Sequence, residues 1–223
     1  MSKDKLIKYL YGKLEYLMPF INGETSLRFS DLSHYSRLEN ELIRDIELCK
    51  NFEINPTECV ITINDFQLKN IVGNIKLEVP VDNCYCLCLS DKKNDASLFK
   101  RFNADTCLEI DIYKLIEVFE FFTLKKFPGT IIEHGAVIYY KVNDRIPENH
   151  LHKLIFYKLD FFEIESEYRV VIRFPKERKK FKTVDGLNIP IFIDGESMHL
   201  TITSEDKKAN NYYLNNVYSY DKT

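Results

Sequence analysis

The segment at 161–174, FFEIESEYRVVIRF, alternates charged and apolar residues and predicts a β-strand with one face in a hydrophobic core. Successive side chains of a strand point to opposite faces of the sheet. The charged face carries Glu163, Glu165, Glu167, Arg169 and Arg173, and the apolar face carries Ile164, Tyr168, Val170, Ile172 and Phe174. Because the apolar face must be covered, we expect this strand to lie in a sheet against which other elements pack.

Earlier segments with the same period of two predict the rest of this sheet. They are CVITI at 59–63, NIKLEV at 74–79, NCYCLCLS at 83–90 and TCLEIDI at 106–112. Their β-branched and aromatic residues favour strands. Shorter strands are predicted at 5–10 and 25–29. Apolar residues at helical spacing predict helices at 13–21, 37–49, 96–102 and 112–125.

Helices that lie between strands, with no internal repeat or linker, predict a single α+β domain. We expect a mixed, mostly antiparallel sheet within residues 1–205, with helices packed on it. The helix at 37–49 is expected to bury Leu38, Leu42, Ile46 and Cys49. The segment 206–223 is polar and rich in tyrosine, and it is interpreted as a tail that is either docked or poorly ordered.

The composition argues against several classes of protein. The 223 residues carry a net charge of -3, which lacks the overall positive field of an electrostatically driven nucleic-acid binder. No run of about 18 apolar residues is present, and the N-terminal residues have no signal-peptide pattern. We therefore expect a cytoplasmic protein without a membrane partner.

The cysteine spacing and the absence of several known motifs argue against a metal site and against several classes of enzyme. Cys84, Cys86 and Cys88 alternate along one predicted strand and should share a face, where buried packing is a simpler explanation than a metal site. The turn spacing of a C-x-x-C metal site is absent, so no metal is expected. The chain also lacks the P-loop, dinucleotide-binding, nucleophile-elbow and H-E-x-x-H patterns.

Glu165 and Glu167 are the main candidates for chemistry. Carboxylates at positions i and i+2 of a strand lie about 6.6 Å apart, close enough to repel unless a cation such as Arg169 intervenes. At the mouth of a cleft, such a pair can stabilise positive charge on a sugar and position an acceptor. The alternative is a solvated strand face. From this segment alone, the solvated face is the simpler interpretation.

Two other polar segments can be interpreted either as binding sites or as solvated loops. His34, in SDLSHYSRLENE at 30–41, is a candidate substrate-holding residue or general base, because imidazole titrates near neutral pH. The alternative is a loop histidine that faces water. The basic run from Lys176 to Lys182 can contact phosphates of nucleic acid, but a solvated loop tip is the commoner explanation.

Several short segments together resemble the uncharacterised prokaryotic domain-of-unknown-function family 2971, in which they occur in the same order. They are LIKYL at 6–10, LRFSDLSHYSRLENE at 27–41, CLS at 88–90 with Phe99 and Phe102, TCLEID at 106–111, Val137 to Tyr139, Lys158 and ESEYRVV at 165–171. The chain departs from the family in having no tryptophan and in having RLENE at 37–41 where the family has an N-D-P-F-E loop.

The layout of that family is similar to that of mono-ADP-ribosyltransferase toxins, whose catalytic core ends with an E-x-E sequence beside a strand. The resemblance implies that Glu167 is the catalytic glutamate that binds the nicotinamide ribose and that Glu165 positions the acceptor. It implies NAD as a co-substrate, with no tightly bound cofactor. The first strand of those enzymes supplies an Arg or His, where this chain has Lys8 and Tyr9. The substrate-binding residues expected on this basis are Lys8, Tyr9, His34, Lys158 and Arg169.

Two classes of function stay open. One is an NAD-using ADP-ribosyltransferase-like effector of the sort found in bacterial anti-phage or toxin loci. The other is a non-catalytic accessory module of a defence system, which binds a protein through the tyrosine-rich tail or nucleic acid through Lys176–Lys182. An active site should gather Glu165, Glu167, Lys158 and an aromatic side chain around one concavity, which an interaction module does not require.

Overall fold

A computed structural model describes residues 5–145, 147, 151–204, 206 and 208–220, without the side chains of Leu124 and Lys125. The α-helices are α1 (Leu14–Ile21), α2 (Leu32–Tyr35), α3 (Ala96–Arg101) and α4 (Ile112–Lys126). The strands of the first half are β1 (Ile7–Gly12), β2 (Phe29–Asp31), β3 (Cys49–Ile54), β4 (Thr62–Ile63), β5 (Phe66–Gln67), β6 (Ile75–Pro80), β7 (Tyr85–Ser90) and β8 (Thr106–Asp111). The remaining strands are β9 (Ile131–Ala136), β10 (Ile138–Tyr140), β11 (Tyr157–Leu159), β12 (Glu167–Arg173), β13 (Lys180–Lys182), β14 (Asn188–Pro190), β15 (His199–Leu200) and β16 (Leu214–Ser219). Short 3-10 helices span Pro56–Glu58, Leu151–Phe156, Asp160–Glu165 and Ala209–Tyr212.

Eight strands form the main sheet, in which every pair is antiparallel. The predicted α+β class and the mostly antiparallel sheet are therefore confirmed. Strand β7 lies at its centre and pairs with β12 along its whole length. The opposite edge of β7 is shared, because β2 pairs with Tyr85 and Cys86 whereas β1 pairs only with Ser90. The sheet therefore splits beside β7 into one branch with β2 and β15 and another with β1, β8 and β16.

The two faces of the sheet differ in character. One face packs against α1 and α4 and forms the main hydrophobic core, which includes Leu87, Leu108, Leu115, Phe119 and Val170. Tyr168 and Ile172 also lie in this core, as the alternation along the strand predicts. The opposite face carries the three alternating cysteines of the 84–88 segment, so the prediction that they share a face is confirmed. It also carries Glu167 and Arg169, and the candidate site lies on this face.

The predicted strand at 161–174 is wrong in its first part. Residues Asp160–Glu165 form a 3-10 helix, and the strand begins only at Glu167. Side chains at i and i+3 of a 3-10 helix point the same way, and accordingly Phe162 and Glu165 are both buried. Ile164, which was expected in the core, is 44% exposed, and Glu163 is exposed as well. Buried side chains therefore recur every three residues here, and not every two as in a strand, because Phe162 and Glu165 both pack towards Lys158.

The predicted helix at 37–49 is also wrong. The structure has turns there, and Cys49 starts β3. Leu42 and Ile46, which were expected to be buried, are 50% and 63% exposed. Buried Glu47 takes their place in the interior, where it forms ion pairs with Lys50 and Arg169. This segment therefore folds as turns that bury one charged residue, Glu47, and not as a helix that buries an apolar stripe.

Three of the predicted helices agree with the structure. The predicted helices at 13–21, 96–102 and 112–125 correspond to α1, α3 and α4. The described part of the tyrosine-rich segment contributes β16, which pairs with β8 at the end of the sheet. Within the described residues, no helix combines the length and the apolar character needed to cross a lipid bilayer.

Candidate functional site

A cavity of about 220 Å³ opens where the sheet splits. Its lining includes Leu87, Cys88 and Leu89 of β7, Tyr9 and Tyr11 of β1, and Ser30 of β2. Over Leu87–Leu89, no described strand pairs with this edge of β7. The divergence of β1 from β2 therefore creates the space and leaves an edge of backbone beside it.

Two glutamates and a lysine meet at one end of the cavity, which we call the floor. Lys158 Nζ lies 2.8 Å from Glu165 Oε2 and 2.9 Å from Glu167 Oε2. All three side chains are buried, and all three line the cavity. An ionised carboxylate can accept about four hydrogen bonds, and neither glutamate uses this full capacity in its contacts with Arg and Lys. Both carboxylates thus retain acceptor positions for a ligand.

The backbone around Ser166 brings the two glutamates together. Ser166 has φ 43°, a left-handed conformation, and its N–H donates to Glu163 O. It separates the last residue of the 3-10 helix, Glu165, from the first residue of β12, Glu167. Ser90 Oγ, at the end of β7, donates to Glu165 O at 2.7 Å and anchors this bend. The change of direction lets Glu165 and Glu167 both reach the one ammonium of Lys158.

Arg169 lies behind the floor and connects it to the 37–48 segment. Its Nε donates to Glu167 Oε1 at 2.6 Å, and its Nη1 donates to Glu47 Oε2 at 3.0 Å. Glu47 Oε2 also accepts from Lys50 Nζ at 2.6 Å. Arg169 is 1% exposed. Buried charges are costly unless they are paired, and here each one has at least one opposite partner.

Arg101 of α3 closes the other end of this network. Its Nε lies 2.8 Å from Glu165 Oε1, and its guanidinium lies near the rings of Phe161 and Phe162. The ion pairs therefore run without interruption through Lys50, Glu47, Arg169, Glu167, Lys158, Glu165 and Arg101. Such a continuous network restricts the carboxylates at the floor to defined positions.

The network keeps Glu167 ionised. Burial raises the pKa of Glu167, but Arg169 and Lys158 outweigh burial and bring this pKa to about 2. Burial lowers the pKa of Lys158, and Glu167 and Glu165 more than reverse this effect. Near neutral pH, Glu167 is a carboxylate and Lys158 is an ammonium. Glu167 therefore acts in this site through its negative charge and its acceptor oxygens, and it does not donate a proton.

Aromatic and apolar residues form the walls of the cavity. Tyr9, Tyr11, Tyr35 and Phe102 line it together with Leu38 and Ile43. Tyr35 donates from its hydroxyl to Cys86 O, and Cys88 Sγ lies 3.0 Å from the same hydroxyl oxygen. These bonds hold the ring of Tyr35 against β7. The walls can therefore contact a flat ring or the apolar face of a sugar.

The remaining side, which we call the mouth, is basic. Arg28 is exposed, lines the cavity and forms no ion pair with any described residue. His34 also lines the cavity, and its ring lies 4.9 Å from that of His199. Burial, followed by His199 and Arg28, lowers the pKa of His34 to about 4, so the imidazole is neutral near pH 7. Its buried Nδ1 has no hydrogen-bond partner among the described residues. The mouth therefore carries one unpaired cation, Arg28, beside a neutral imidazole.

The structure brings most of the predicted site residues together. Tyr9, His34, Lys158, Glu165 and Glu167 line the one cavity. Arg169 lies directly behind it, in contact with Glu167. Lys8 does not take part, because it lies on the other face of β1, where it pairs with Asp91 and contacts the ring of Tyr168.

Other residues of the site were missed by the sequence analysis. Arg28 and Tyr35 flank His34 in sequence, and their proximity to it was the available signal. Glu47 and Arg101 gave no signal, because long-range ion pairs leave no local pattern in the sequence. Among the described residues, no group of three or more His, Cys, Asp or Glu side chains is arranged to hold a metal ion.

No protein-family model, no curated protein sequence and no solved structure matches the chain. The resemblance to family 2971 and to ADP-ribosyltransferases therefore stays a prediction from the sequence.

Proposed function

We propose that the chain is an NAD-using ADP-ribosyltransferase-like effector whose active site is the cavity at the split of the sheet. The observation that carries the proposal is the convergence of Glu165, Glu167 and Lys158 at the floor of a cavity with aromatic walls. Residues that are far apart in sequence, such as Tyr9, His34 and Glu167, line the same space. A solvated strand face does not require this convergence.

The charge distribution of the cavity suits a dinucleotide. NAD carries anionic phosphates at its centre and a cationic nicotinamide ring at one end. Arg28 at the mouth can pair with phosphate, and the neutral imidazole of His34 lies beside it in the cavity lining. The tyrosine walls can stack with the nicotinamide ring. The carboxylates at the floor can accept hydrogen bonds from the hydroxyls of the nicotinamide ribose.

The proposed reaction breaks the bond between ribose C1′ and the nicotinamide nitrogen. The electron pair of this bond leaves with nicotinamide, and positive charge develops on the ribose. The ionised carboxylate of Glu167 stabilises that charge, as fixed carboxylates do in glycoside chemistry. An acceptor oxygen, nitrogen or sulfur then forms a bond to C1′ and loses its proton to solvent. Glu165 is assigned to orient the acceptor, and Lys158 to hold both carboxylates in place.

The proposal is tested by incubating the purified chain with NAD that is labelled in the adenylate part. Transfer of the label to an acceptor and release of free nicotinamide are both measured. Wild type is expected to turn over NAD, and Glu167→Gln is expected to reduce the rate by at least about 100-fold, as for loss of an electrostatic catalytic group. Glu163→Gln is the matched control, since Glu163 belongs to the same segment but is exposed. It should retain the wild-type rate.

Folding of each variant is checked by near-ultraviolet circular dichroism, because Glu167 is buried and bonded. If Glu167→Gln does not fold, Arg28→Gln tests the mouth, since this exposed residue can be replaced without disturbing the core. It should raise the NAD concentration needed for half-maximal rate. Absence of any NAD turnover or binding by the folded wild type, with protein and nucleic-acid acceptors supplied, would refute the transferase proposal.

A further inference from the structure

A second groove lies at the opposite end of β12 from the cavity. Strand β12 starts at Glu167 on the cavity floor and ends at Arg173, which lines this groove about 20 Å away along the strand. The groove has a volume of about 820 Å³. It is therefore separate from the cavity at the split of the sheet, and the proposed transferase chemistry does not use it.

The charged residues of the groove are mostly basic. Arg173, Lys176, Arg178 and Lys179 line it, against the acidic residues Asp82 and Asp194. The surrounding segment 173–182 holds six basic residues and one acidic residue, in a chain whose net charge is -3. Positive charge is thus concentrated at this groove although the chain as a whole is acidic.

Two of the cations are fixed in position. Arg173 Nη2 donates to His152 O at 2.6 Å, and its Nε lies 2.7 Å from Glu133. Arg178 Nη2 donates to Pro128 O at 3.2 Å, and its guanidinium lies 5.9 Å from the ring centre of Phe127. Lys176 pairs with Asp82 at 2.7 Å, but both side chains are largely exposed, so this pair is weak and exchangeable. The groove therefore combines hydrogen-bonded guanidinium groups with exposed ammonium groups.

The hairpin of β13 and β14 extends the basic surface beyond the groove. Phe181 packs inward on Phe174 and Phe127, so its neighbours Lys180 and Lys182 both point to solvent on the other face. Their spacing along the strand is about 6.6 Å. Two exposed ammonium groups side by side can contact successive phosphates of one nucleic-acid strand.

The groove also has an aromatic surface. Phe174 and Phe192 line it and are only partly buried, and Phe192 stacks on Tyr85 with ring centres 5.3 Å apart. Proteins that bind single-stranded nucleic acid combine a basic groove that follows the backbone with aromatic rings that contact bases. An acidic peptide would need the cations but would leave these rings without a matching group.

We propose that this groove and the adjoining β13–β14 hairpin bind single-stranded nucleic acid, with phosphates on Arg173, Arg178 and the lysines and a base against Phe192. The proposal does not depend on NAD chemistry. With about three of these six cations in contact with phosphate at one time, affinity is expected to fall roughly 20-fold between about 50 and 200 mM salt. The interaction is independent of base sequence, because the contacts that carry it are to phosphates.

The experiment measures fluorescence anisotropy of labelled oligo(dT) and oligo(U) with the full chain at these two salt concentrations. Lys176→Glu with Lys179→Glu should weaken binding at least about tenfold, because two attractive contacts become repulsive. The matched control is Lys69→Glu with Lys76→Glu, which makes the same change in net charge on exposed residues of another part of the chain. It should weaken binding by less than about threefold.

The thermal unfolding midpoint of each double variant is measured first. If Lys176→Glu with Lys179→Glu does not fold, the pair of glutamine substitutions takes its place, with at least a threefold weakening expected. The proposal is overturned if neither oligonucleotide binds at the lower salt concentration, or if the two double variants weaken binding equally. It is also overturned if a polyglutamate peptide or anionic vesicles compete for the groove more strongly than the oligonucleotides.

Discussion

Glu47 and Arg169, which are 122 residues apart in sequence, form a bidentate ion pair from which solvent is almost completely excluded. The same arginine holds Glu167 at the floor of the cavity. The segment that carries Glu47 also supplies Leu38 and Ile43 to the cavity walls. One buried pair therefore links the shape of the walls to the position of the proposed catalytic carboxylate.

Removal of Arg169 should be strongly destabilising. Arg169→Met leaves Glu47 and Glu167 buried with fewer cationic partners, and the expected loss of unfolding free energy is about 3–5 kcal/mol. Urea denaturation measures this loss. Arg173→Met, on the same face of β12, leaves one partly solvated carboxylate and should cost less, about 1–2 kcal/mol. Adding Glu47→Gln to Arg169→Met should restore part of the stability, and strictly additive losses would contradict the coupling of the pair.

Stability should also depend on the ionisation of Glu167. Its pKa is lowered from 4.5 to about 2, because Arg169 and Lys158 outweigh the opposing effect of burial. A group whose pKa is lower in the folded state contributes stability above its unfolded pKa, and this contribution is lost as the pH falls. We expect a loss of up to about 3 kcal/mol from Glu167 between about pH 4.5 and pH 2.

Urea unfolding of wild type and Glu167→Gln across this pH range tests the expectation. The difference in unfolding free energy between the two proteins should shrink as the pH falls, because protonation removes from wild type what the substitution has already removed. Glu163→Gln, at an exposed position, should follow wild type at every pH. A difference that stays constant with pH would show that the charge of Glu167 is not the source of its contribution.

Local patterns in the sequence were sufficient to predict the α+β class, three of the helices and the shared face of the cysteines. These features depend on period and on turn residues, which each segment carries by itself. The alternation of Tyr168, Val170 and Ile172 also placed Glu167 and Arg169 on the face opposite the core. Two of the residues that build the floor could therefore be placed before the fold was known.

The remaining parts of the site depend on contacts between distant segments. The 3-10 helix at Asp160–Glu165 exists because Phe162 and Glu165 pack towards Lys158, and Glu47 is drawn inward by Arg169. Alternation had suggested a strand in the first case, and apolar spacing had suggested a helix in the second. In both places a buried ion pair outweighed the local preference, and a pattern search over one segment does not detect such a pair.

Replacement of Asp45 should stabilise the protein at neutral pH. Burial, followed by repulsion from Glu47, raises the pKa of Asp45 from 3.8 to about 6, and its Oδ2 has no hydrogen-bond partner among the described residues. A carboxyl whose pKa is higher in the folded state than in the unfolded state destabilises the folded protein. This destabilisation grows as the pH rises from the unfolded-state pKa to the folded-state pKa. Asp45→Asn should therefore gain about 1–2 kcal/mol at pH 7, after allowance for partial exposure, and little at pH 3. Thermal unfolding at both pH values checks this, with exposed Asp185→Asn as a control that should be neutral at each.

The bend at Ser166 gives a prediction that separates backbone strain from side-chain chemistry. A non-glycine residue at φ 43° is strained, most of all if its side chain is β-branched. Ser166→Gly should therefore leave stability unchanged or raise it by up to about 1 kcal/mol. Ser166→Val should cost about 1–3 kcal/mol, since valine resists this conformation. Because the bend sets the approach of Glu165 and Glu167 to Lys158, the valine variant should also lose NAD turnover, whereas the glycine variant keeps it. Equal unfolding free energies for the two variants would mean that the left-handed backbone at Ser166 does not hold the glutamates in place.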